Sequence, residues 1–374
     1  MKVLVAPDKF KGSLSAIAAA EAIQRGFLAG YPEAEIRLAP IADGGEGFAE
    51  TLCVALGGQW IQLKALDPIG REVDARYCWV EAQKLAVIEM SNASGLWRLS
   101  PTELAPLQAN TFGTGQLMRH AVQRGARTLL VGLGSSATTD GGIGMAEALG
   151  YQFLDAADQP LAAIPANLPA LARIRAEHAL ALPQVIAACD VQNPLLGERG
   201  SAHVFSPQKG ADQATVHQLE LGLLNLAQVV ARDLAHDFRD APGAGAAGGI
   251  GFGLLSFCRA EIRSGFTVVA DALGLEQSII ESDLVLTGEG RIDGQTLEGK
   301  GPAGVAALAL RHGIPAVAFG GSITGHPAIQ TLFKATVPIV DETVTLPEAM
   351  QRGAEFLERA AQRVARLLQI GKDL

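Results

Sequence analysis

At 374 residues the chain is longer than the roughly 250–300 residues at which a single hydrophobic core stops growing, so two domains are expected. Hydrophobic residues make up 48% and charged residues only 18%, a balance that supplies a large core and excludes wholesale disorder. The formal charge of −9 argues against a nucleic-acid surface, which needs a basic face, yet leaves room for an anionic small molecule held by a few lysines.

Aromatic residues are scarce at 5% and glycines number 43, a texture that suits Ala/Val/Leu helices packed on a sheet with many glycine-dependent turns. The cysteines (Cys53, Cys78, Cys189 and Cys258) lie far apart without a C-x-x-C pair and read as reduced structural thiols. The histidines are scattered, with no pair four residues apart, and none is assigned to a metal. The apolar opening Val3–Ala6 is cut short by Pro7, Asp8 and Lys9, unlike a signal peptide. No uninterrupted apolar run reaches the roughly 18 residues of a membrane helix. A soluble cytoplasmic protein, monomeric or homodimeric, is the expectation.

Read in chain order, Lys2–Ala6 is a strand, Pro7–Gly12 a loop, and Ser13 a candidate N-cap for a helix running to about Gly30. Glu35–Ala39 is a second strand, followed by Asp43-Gly44-Gly45-Glu46-Gly47 and a helix through Leu56. Two strand–loop–helix units with short connections predict a parallel sheet with right-handed crossovers. Between Trp60 and Met90 the texture changes, and alternation in Val73–Val80 and Lys84–Met90 suggests antiparallel strands. A helix at Gly115–Arg124, a strand at Thr128–Val131, a glycine-rich loop, a helix at Gly144–Leu149 and a strand at Val185–Ala188 follow. A long helix spans about Thr215–His236. The α/β rhythm returns with strands at Asp283–Thr287, Ala316–Phe319 and Lys334–Ile339, a helix at Pro302–Arg311, and a last helix from Pro347 onward. The simplest fold is a Rossmann-like doubly wound parallel-sheet α/β domain (residues 1–60 plus 280–374). A second α/β domain with mixed and antiparallel strands (61–279) is inserted into it.

Loops at the carboxyl ends of strands are where open α/β sheets bind ligands. Asp8-Lys9-Phe10-Lys11-Gly12-Ser13 offers two ammonium groups and a helix N-terminus, suited to a phosphate or carboxylate, although a solvated loop with a capping serine reads equally well. In Asp43–Gly47 the carboxylates could hold Mg²⁺ or a substrate hydroxyl, against an ordinary acidic helix start. Gly132–Gly142 (GLGSSATTDGG) matches G-x-G-x-x-A, but its hydroxyl run suits a phosphate chain or substrate better than a dinucleotide, and a structural turn stays open. Gly243–Gly248 matches G-x-G-x-x-G without the preceding strand, which leaves a packed helix entry or a nucleotide-lining loop.

Gly294–Gly301 is a near-miss to Walker A, with Gly301 where Ser or Thr should stand; Lys300 can still neutralise a phosphate. Thr287-Gly288-Glu289-Gly290-Arg291-Ile292-Asp293 reads as a loop after a strand, its arginine suited to an organic acid or to phosphoryl charge balanced by a metal. A surface salt-bridge cluster is the bland alternative. Cys189-Asp190-Val191-Gln192-Asn193-Pro194 places an acid and an amide beyond a strand, with Arg199 and Lys209 supplying cations nearby; Asp190 is a candidate general base or metal ligand, or a turn-forming aspartate. No G-x-S-x-G elbow points to a hydrolase. Phosphoryl transfer, which needs positioning, cations, a metal carboxylate and a base, fits the set best.

Six of these segments, taken together and in order, resemble the bacterial glycerate kinase family (type 1, glycerate 2-kinase type): Val5–Ser13, Ala42–Gly47, Gly134–Gly142, Cys189–Pro194, Pro242–Gly249 and Thr287–Asp293. The resemblance implies two α/β domains with the active site in the cleft between them. It also implies ATP- and Mg²⁺-dependent phosphorylation of D-glycerate, with 2-phospho-D-glycerate expected over the 3-phospho isomer. Breakdown of glyoxylate, glucarate or galactarate is the metabolic setting it suggests.

Roles follow as expectations. Asp190 is the favoured base and Asp8 the alternative; Lys9 and Lys11 neutralise phosphates, and Arg291 clamps the glycerate carboxylate. Ser13, Gly44, Asn193 and Arg199 line the substrate, and Asp43, Glu289 and Asp293 compete for Mg²⁺. Ser135, Ser136, Thr138, Gly245, Gly248 and Lys300 serve the nucleotide. Two rivals remain at this stage: a non-catalytic organic-acid or nucleotide sensor, and an NAD-dependent oxidoreductase built on Gly132–Ala137 with Asp155 or Asp158 on the ribose.

Overall fold

The run Val3–Ala6 has no polar face, and a strand apolar on both sides must be covered on both sides. The computed structural model meets that demand. It describes residues 1–42, 44–294, 296 and 301–373, and the chain forms two compact units, Met1–Asp43 with Phe266–Leu374 and Gly44–Gly265.

Strand β1 (Lys2–Val5), helix α1 (Ala16–Gly30) and strand β2 (Glu35–Leu38) open the first unit. The second unit begins with α2 (Phe48–Ala55), β3 (Gln59–Leu66), β4 (Glu72–Val80) and β5 (Leu85–Glu89). It continues through α3 (Ser91–Ser94), α4 (Phe112–Gln123), β6 (Thr128–Gly132), α5 (Ile143–Ala148), β7 (Gln152–Leu154), β8 (Arg173–Arg175) and β9 (Gln184–Ala188). Helices α6 (Ser201–Phe205), α7 (Gln213–Asp233) and α8 (Ala246–Cys258) and strand β10 (Glu261–Arg263) complete it. The chain then returns to the first unit through α9 (Gly265–Leu273), α10 (Leu275–Ile280), β11 (Leu284–Ile292), α11 (Gly301–Arg311) and β12 (Ala316–Ile323). Helix α12 (Pro327–Leu332), strand β13 (Ala335–Pro338) and helices α13 (Leu346–Gln351) and α14 (Gly353–Asp373) end it.

In the first unit the described strands form a parallel sheet in the order β13-β12-β11-β1-β2. Alternation along β1 sends Val3 and Val5 to a core with Phe27 of α1 and Phe356 of α14, and Leu4 and Ala6 to one with Phe266, Val305 and Ile329 on the other face. That is double winding. In the second unit β10, β9, β6 and β5 run parallel, and β4 and β3 add an antiparallel edge, in the order β10-β9-β6-β5-β4-β3. Strands β7 and β8 form a separate antiparallel pair. The cysteines are buried and unbridged. Among the described residues no helix is long and apolar enough to cross a membrane.

Three sequence expectations change. Helix α1 is capped by Ser15, whose hydroxyl accepts from the Ala18 amide at 3.2 Å, and not by Ser13. A tight turn closed by Leu14 N–H on the Phe10 carbonyl (2.9 Å) holds Ser13 back, and its hydroxyl donates to the Met350 carbonyl instead. Residues Thr287–Ile292 are the second half of strand β11, because Gly288–Ile292 find partners in Phe319–Ile323 of β12, and only Asp293 lies beyond it. The unit boundaries fall at 43/44 and 265/266, where the sequence suggested about 60 and 280. Helix α2 belongs to the second unit because Glu89, at the end of β5, accepts from the Ala49 amide at 2.8 Å near the start of α2.

Ser15→Ala removes a cap and is expected to lower the unfolding free energy by about 1 kcal/mol in a urea titration.

Candidate active site

Parallel strands present their following loops at one edge, so each unit is described from its own carboxyl edge. In the first unit the loop after β1 turns back along β11: the Asp8 amide donates to the Gly288 carbonyl at 2.9 Å, and the Lys9 amide to Asp8 Oδ1 at 2.6 Å. Asp8 is buried and Lys9 half-buried, whereas Lys11 is exposed. Beside them, Thr296 donates to Glu289 Oε1 at 2.8 Å and accepts from the Asp293 amide at 3.0 Å. Arg291 pairs with Asp293 at 2.8 Å while its side chain stays 70% exposed. Asp8, Lys9, Lys11, Glu289, Arg291 and Asp293 therefore share one edge of one sheet. Asp43 and Lys300 lie outside the described residues.

The second unit gathers the loops after β5, β6, β9 and β10. Asp190, just beyond β9, has one carboxylate oxygen fixed by the Ser264 hydroxyl at 2.7 Å and the Gly265 amide at 3.1 Å. Asn193 donates to the Arg199 carbonyl at 2.7 Å, which closes the turn that follows, and the Arg199 side chain is exposed. Gly44 lies backbone-on-backbone against the β9 terminus, a Cβ there standing 2.8 Å from the Ala188 carbonyl.

The Gly132–Gly142 loop is held from within. Asp140 is wholly buried, and its carboxylate accepts from the Thr111 amide (2.8 Å), the Thr111 hydroxyl (2.7 Å), the Gly142 amide (3.0 Å) and the Gly144 amide (3.1 Å). Burial pushes its carboxyl upward, and the four donors oppose that push. Lys209, 2% exposed, donates to Ser136 Oγ at 2.7 Å and to the Thr138 carbonyl at 2.5 Å. Burial lowers its ammonium pKa to about 7, with the Asp140 charge acting the other way. Gly248, at φ +84°, packs on that same Thr138 carbonyl so closely that any Cβ would collide with it. Gly245 is buried against the Pro194 carbonyl.

This placement divides the candidates. Ser136 and Thr138 point inward, and Gly245 and Gly248 make backbone packing contacts, whereas Ser135 is exposed in the left-handed region at φ +53°. Lys209, read in the sequence as a cation near Asp190, is a buried strut. Sequence reasoning missed Asp140, Ser264 and Thr296 as positioning residues. Asp140 stood in a recognised motif and could have been found as the acid of a T-x-D turn before a helix. Ser264 follows a three-residue strand that leaves almost no sequence signal.

One parallel sheet and one mixed sheet with a parallel core, each carrying glycine-, hydroxyl- and acid-bearing loops at its carboxyl edge, define an α/β protein of the kind that binds small ligands at strand ends. Comparison with known proteins makes the class specific. The model of the glycerate kinase family matches residues 3–369. The chain is 41% identical over 368 residues to a glycerate kinase of Halalkalibacterium halodurans, covering 97% of each. It is 39% identical over 376 residues to the glycerate 2-kinase of Escherichia coli K12, covering 99% of each. The crystal structure of a candidate glycerate kinase 2 from Salmonella typhimurium LT2 superposes with a TM-score of 0.90 at 40% identity, over 100% of both chains. The chain belongs to the glycerate kinase family, and it is a kinase.

Lys209 generates a pH prediction with a definite sign. Its folded pKa, about 7, lies below the ordinary lysine value of 10.5, so between these the unfolded chain binds more protons. Stability from this group therefore rises with pH above about 7 and is lost as pH falls through 7. The stability difference between wild type and Lys209→Met should shift towards wild type from pH 7.5 to 9.5, by at most about 1.4 kcal/mol per unit. Paired urea titrations at each pH check it, and a pH-independent difference contradicts it.

Proposed function

We propose that this kinase transfers the γ-phosphoryl group of ATP to the 2-hydroxyl of D-glycerate, giving 2-phospho-D-glycerate and ADP. The observation that carries the reading is the end-to-end similarity to proteins named glycerate kinase, and the choice of hydroxyl follows the relative named glycerate 2-kinase. Acid placement supports it. Asp190 stands at a strand end with one oxygen held by the Ser264 hydroxyl and the Gly265 amide, which fixes the aim of the carboxylate.

In the step, the glycerate hydroxyl oxygen forms a bond to the γ-phosphorus as the bond from that phosphorus to the β-γ bridging oxygen breaks. The hydroxyl proton passes to a carboxylate, and ADP leaves with the bridging electrons. Asp190 is the proposed acceptor and Asp8 the alternative. Lys9 and Lys11 offset phosphate charge, and Arg291 takes the glycerate carboxylate, for which an exposed guanidinium is suited to bidentate pairing. Ser135 is the exposed residue of the second unit's loop, and it contacts the phosphate chain together with the backbone at half-buried Gly134. Asn193 and Arg199 line the acceptor.

Mg²⁺ is implied by the family. Among the described residues no group of three or more His, Cys, Asp or Glu side chains is placed to hold a metal. Magnesium in kinases uses one or two carboxylates together with substrate phosphates, and Glu289 and Asp293, hard oxygen donors on one sheet edge with Thr296 bonded to the Glu289 carboxylate and to the Asp293 amide, fit that habit. They would hold the ion, which would neutralise charge on the phosphate oxygens.

Asp190→Asn is expected to lower turnover at least ~10²-fold in a coupled ADP-release assay with ATP, Mg²⁺ and D-glycerate, with KM values within a few-fold. A near-wild-type rate removes Asp190 from the role, and the same loss in Asp8→Asn alone would move it there.

A further inference from the structure

We infer that Trp97 is the stacking platform for the adenine ring of the nucleotide, an assignment that rests on the kinase reading above. Singly exposed apolar side chains are ordinary on protein surfaces, so exposure alone says little. What distinguishes Trp97 is how it is held and what it stands beside.

Strand β5 runs parallel to β6, so the loops that follow them emerge side by side. They are laced together by the Met90 amide on the Gly132 carbonyl (3.2 Å), the Ala137 amide on the Ser94 carbonyl (3.0 Å) and the Leu96 amide on the Ser135 carbonyl (2.8 Å). Gly95 also bridges Ser136. The residue after Leu96 is Trp97. Its place is therefore set, through backbone bonds, beside the one exposed hydroxyl of the Gly132–Gly142 loop.

The indole itself is fixed. A Cβ on Gly95 would collide with the Ser91 carbonyl oxygen and stand 2.7 Å from Trp97 Nε1 and 2.9 Å from its Cδ1, so the indole lies against a backbone position that packing closes to any side chain. Gly95 has ordinary extended angles (φ −83°, ψ 149°), so its backbone conformation alone does not call for glycine. The Arg98 guanidinium sits 4.4 Å from the indole centroid. Arg98 is in turn anchored by donating to the Asn92 and Asp74 carbonyls, each at 2.8 Å. Trp97 is nonetheless 63% exposed, against 1% for Trp79. A ring braced by Gly95 and an anchored cation, with most of its surface left to solvent, offers a preorganised aromatic surface at little entropic cost.

Chemistry then chooses between the substrates. Glycerate is small, charged and without a flat apolar surface, so an indole face has nothing to recognise in it. A purine has such a face, and base–aromatic stacking is tolerant of the ring's exact edge groups. The platform adjoins Gly134–Ser135, proposed above for the phosphate chain, so base and phosphates would be read by neighbouring loops of one sheet.

The test is steady-state kinetics on the full-length chain. Trp97→Ala should raise KM for ATP roughly five- to a hundredfold, the range that base–aromatic stacking supplies, with kcat within about twofold and KM for D-glycerate unchanged. Trp97→Phe and Trp97→Tyr, which restore a flat ring, should return KM to within a few-fold of wild type. Should Trp97→Ala fail to fold, Trp97→Leu keeps apolar bulk without a flat face and is expected to behave alike. Quenching of tryptophan fluorescence by ATP but not by inorganic tripolyphosphate, lost in Trp97→Phe, reports the contact directly. An unchanged KM for ATP overturns the inference, as does a rise shared equally by both substrates, which would mean loop collapse. Absence of ADP formation by the wild type strikes the kinase reading itself; normal wild-type turnover with an indifferent Trp97→Ala strikes only the stacking role.

Discussion

Four donors converge on the carboxylate of Asp140, and the second unit's carboxyl edge takes its shape from that convergence. The carboxylate ties the start of α4 at Thr111 to the start of α5 at Gly142 and Gly144, so the loop after β6 can turn only one way. A buried charge of this kind is tolerated because every donor is supplied by fixed backbone or a buried hydroxyl. From it the rest follows outward. Lys209 and Gly248 press on the Thr138 carbonyl, and Ser135 is left in a left-handed conformation facing solvent. The loop after β5 is then laced to that turn and carries Trp97 with it.

This hierarchy changes how the motif should be read. A run of serines, threonines and glycines before a helix invites assignment of each residue to a ligand. Here most of them are structural: Ser136 is bonded to Lys209, the side chains of Thr138 and Thr139 are buried, and Gly248 exists to admit a carbonyl. The part of the loop left to solvent shrinks to Ser135, with Gly134 half-buried beside it. Preorganisation of this loop thereby comes from buried polar contacts rather than from surface charge, which suits a chain carrying a net −9.

Much of the fold was legible because period-2 and period-3.6 patterns are strong where elements are long. Apolar Val3–Ala6 and Leu284–Leu286, and the helices at α1 and α7, announced doubly wound α/β architecture. The extension of β11 through Gly288-Glu289-Gly290-Arg291 was not legible, since that composition has poor strand propensity and is held extended by its partner β12. The three-residue strands β7, β8 and β10 fall below what any periodicity can show. The cap of α1 was misplaced by two residues because the sequence does not show that the Ser13 hydroxyl is taken by the Met350 carbonyl, which leaves the cap to Ser15. Asp8 and Asp190 were picked out from residue type just beyond strands, and Glu289 and Arg291 lie in the extended end of β11. Lys209 was noted as a cation, and its burial was not legible, because burial is a property of packing and not of the motif. Trp97 carried no pattern at all: a lone aromatic becomes informative only when its neighbours Gly95 and Arg98 are seen to hold it.

The central claim is transfer of a phosphoryl group from ATP to a hydroxyl of D-glycerate. The most direct measurement is the phosphorus spectrum of a reaction of the purified chain with ATP, Mg²⁺ and D-glycerate. The account predicts ADP together with a new phosphomonoester split into a doublet by the single proton on C2. A mixture in which ATP persists and no phosphomonoester of glycerate forms would contradict it.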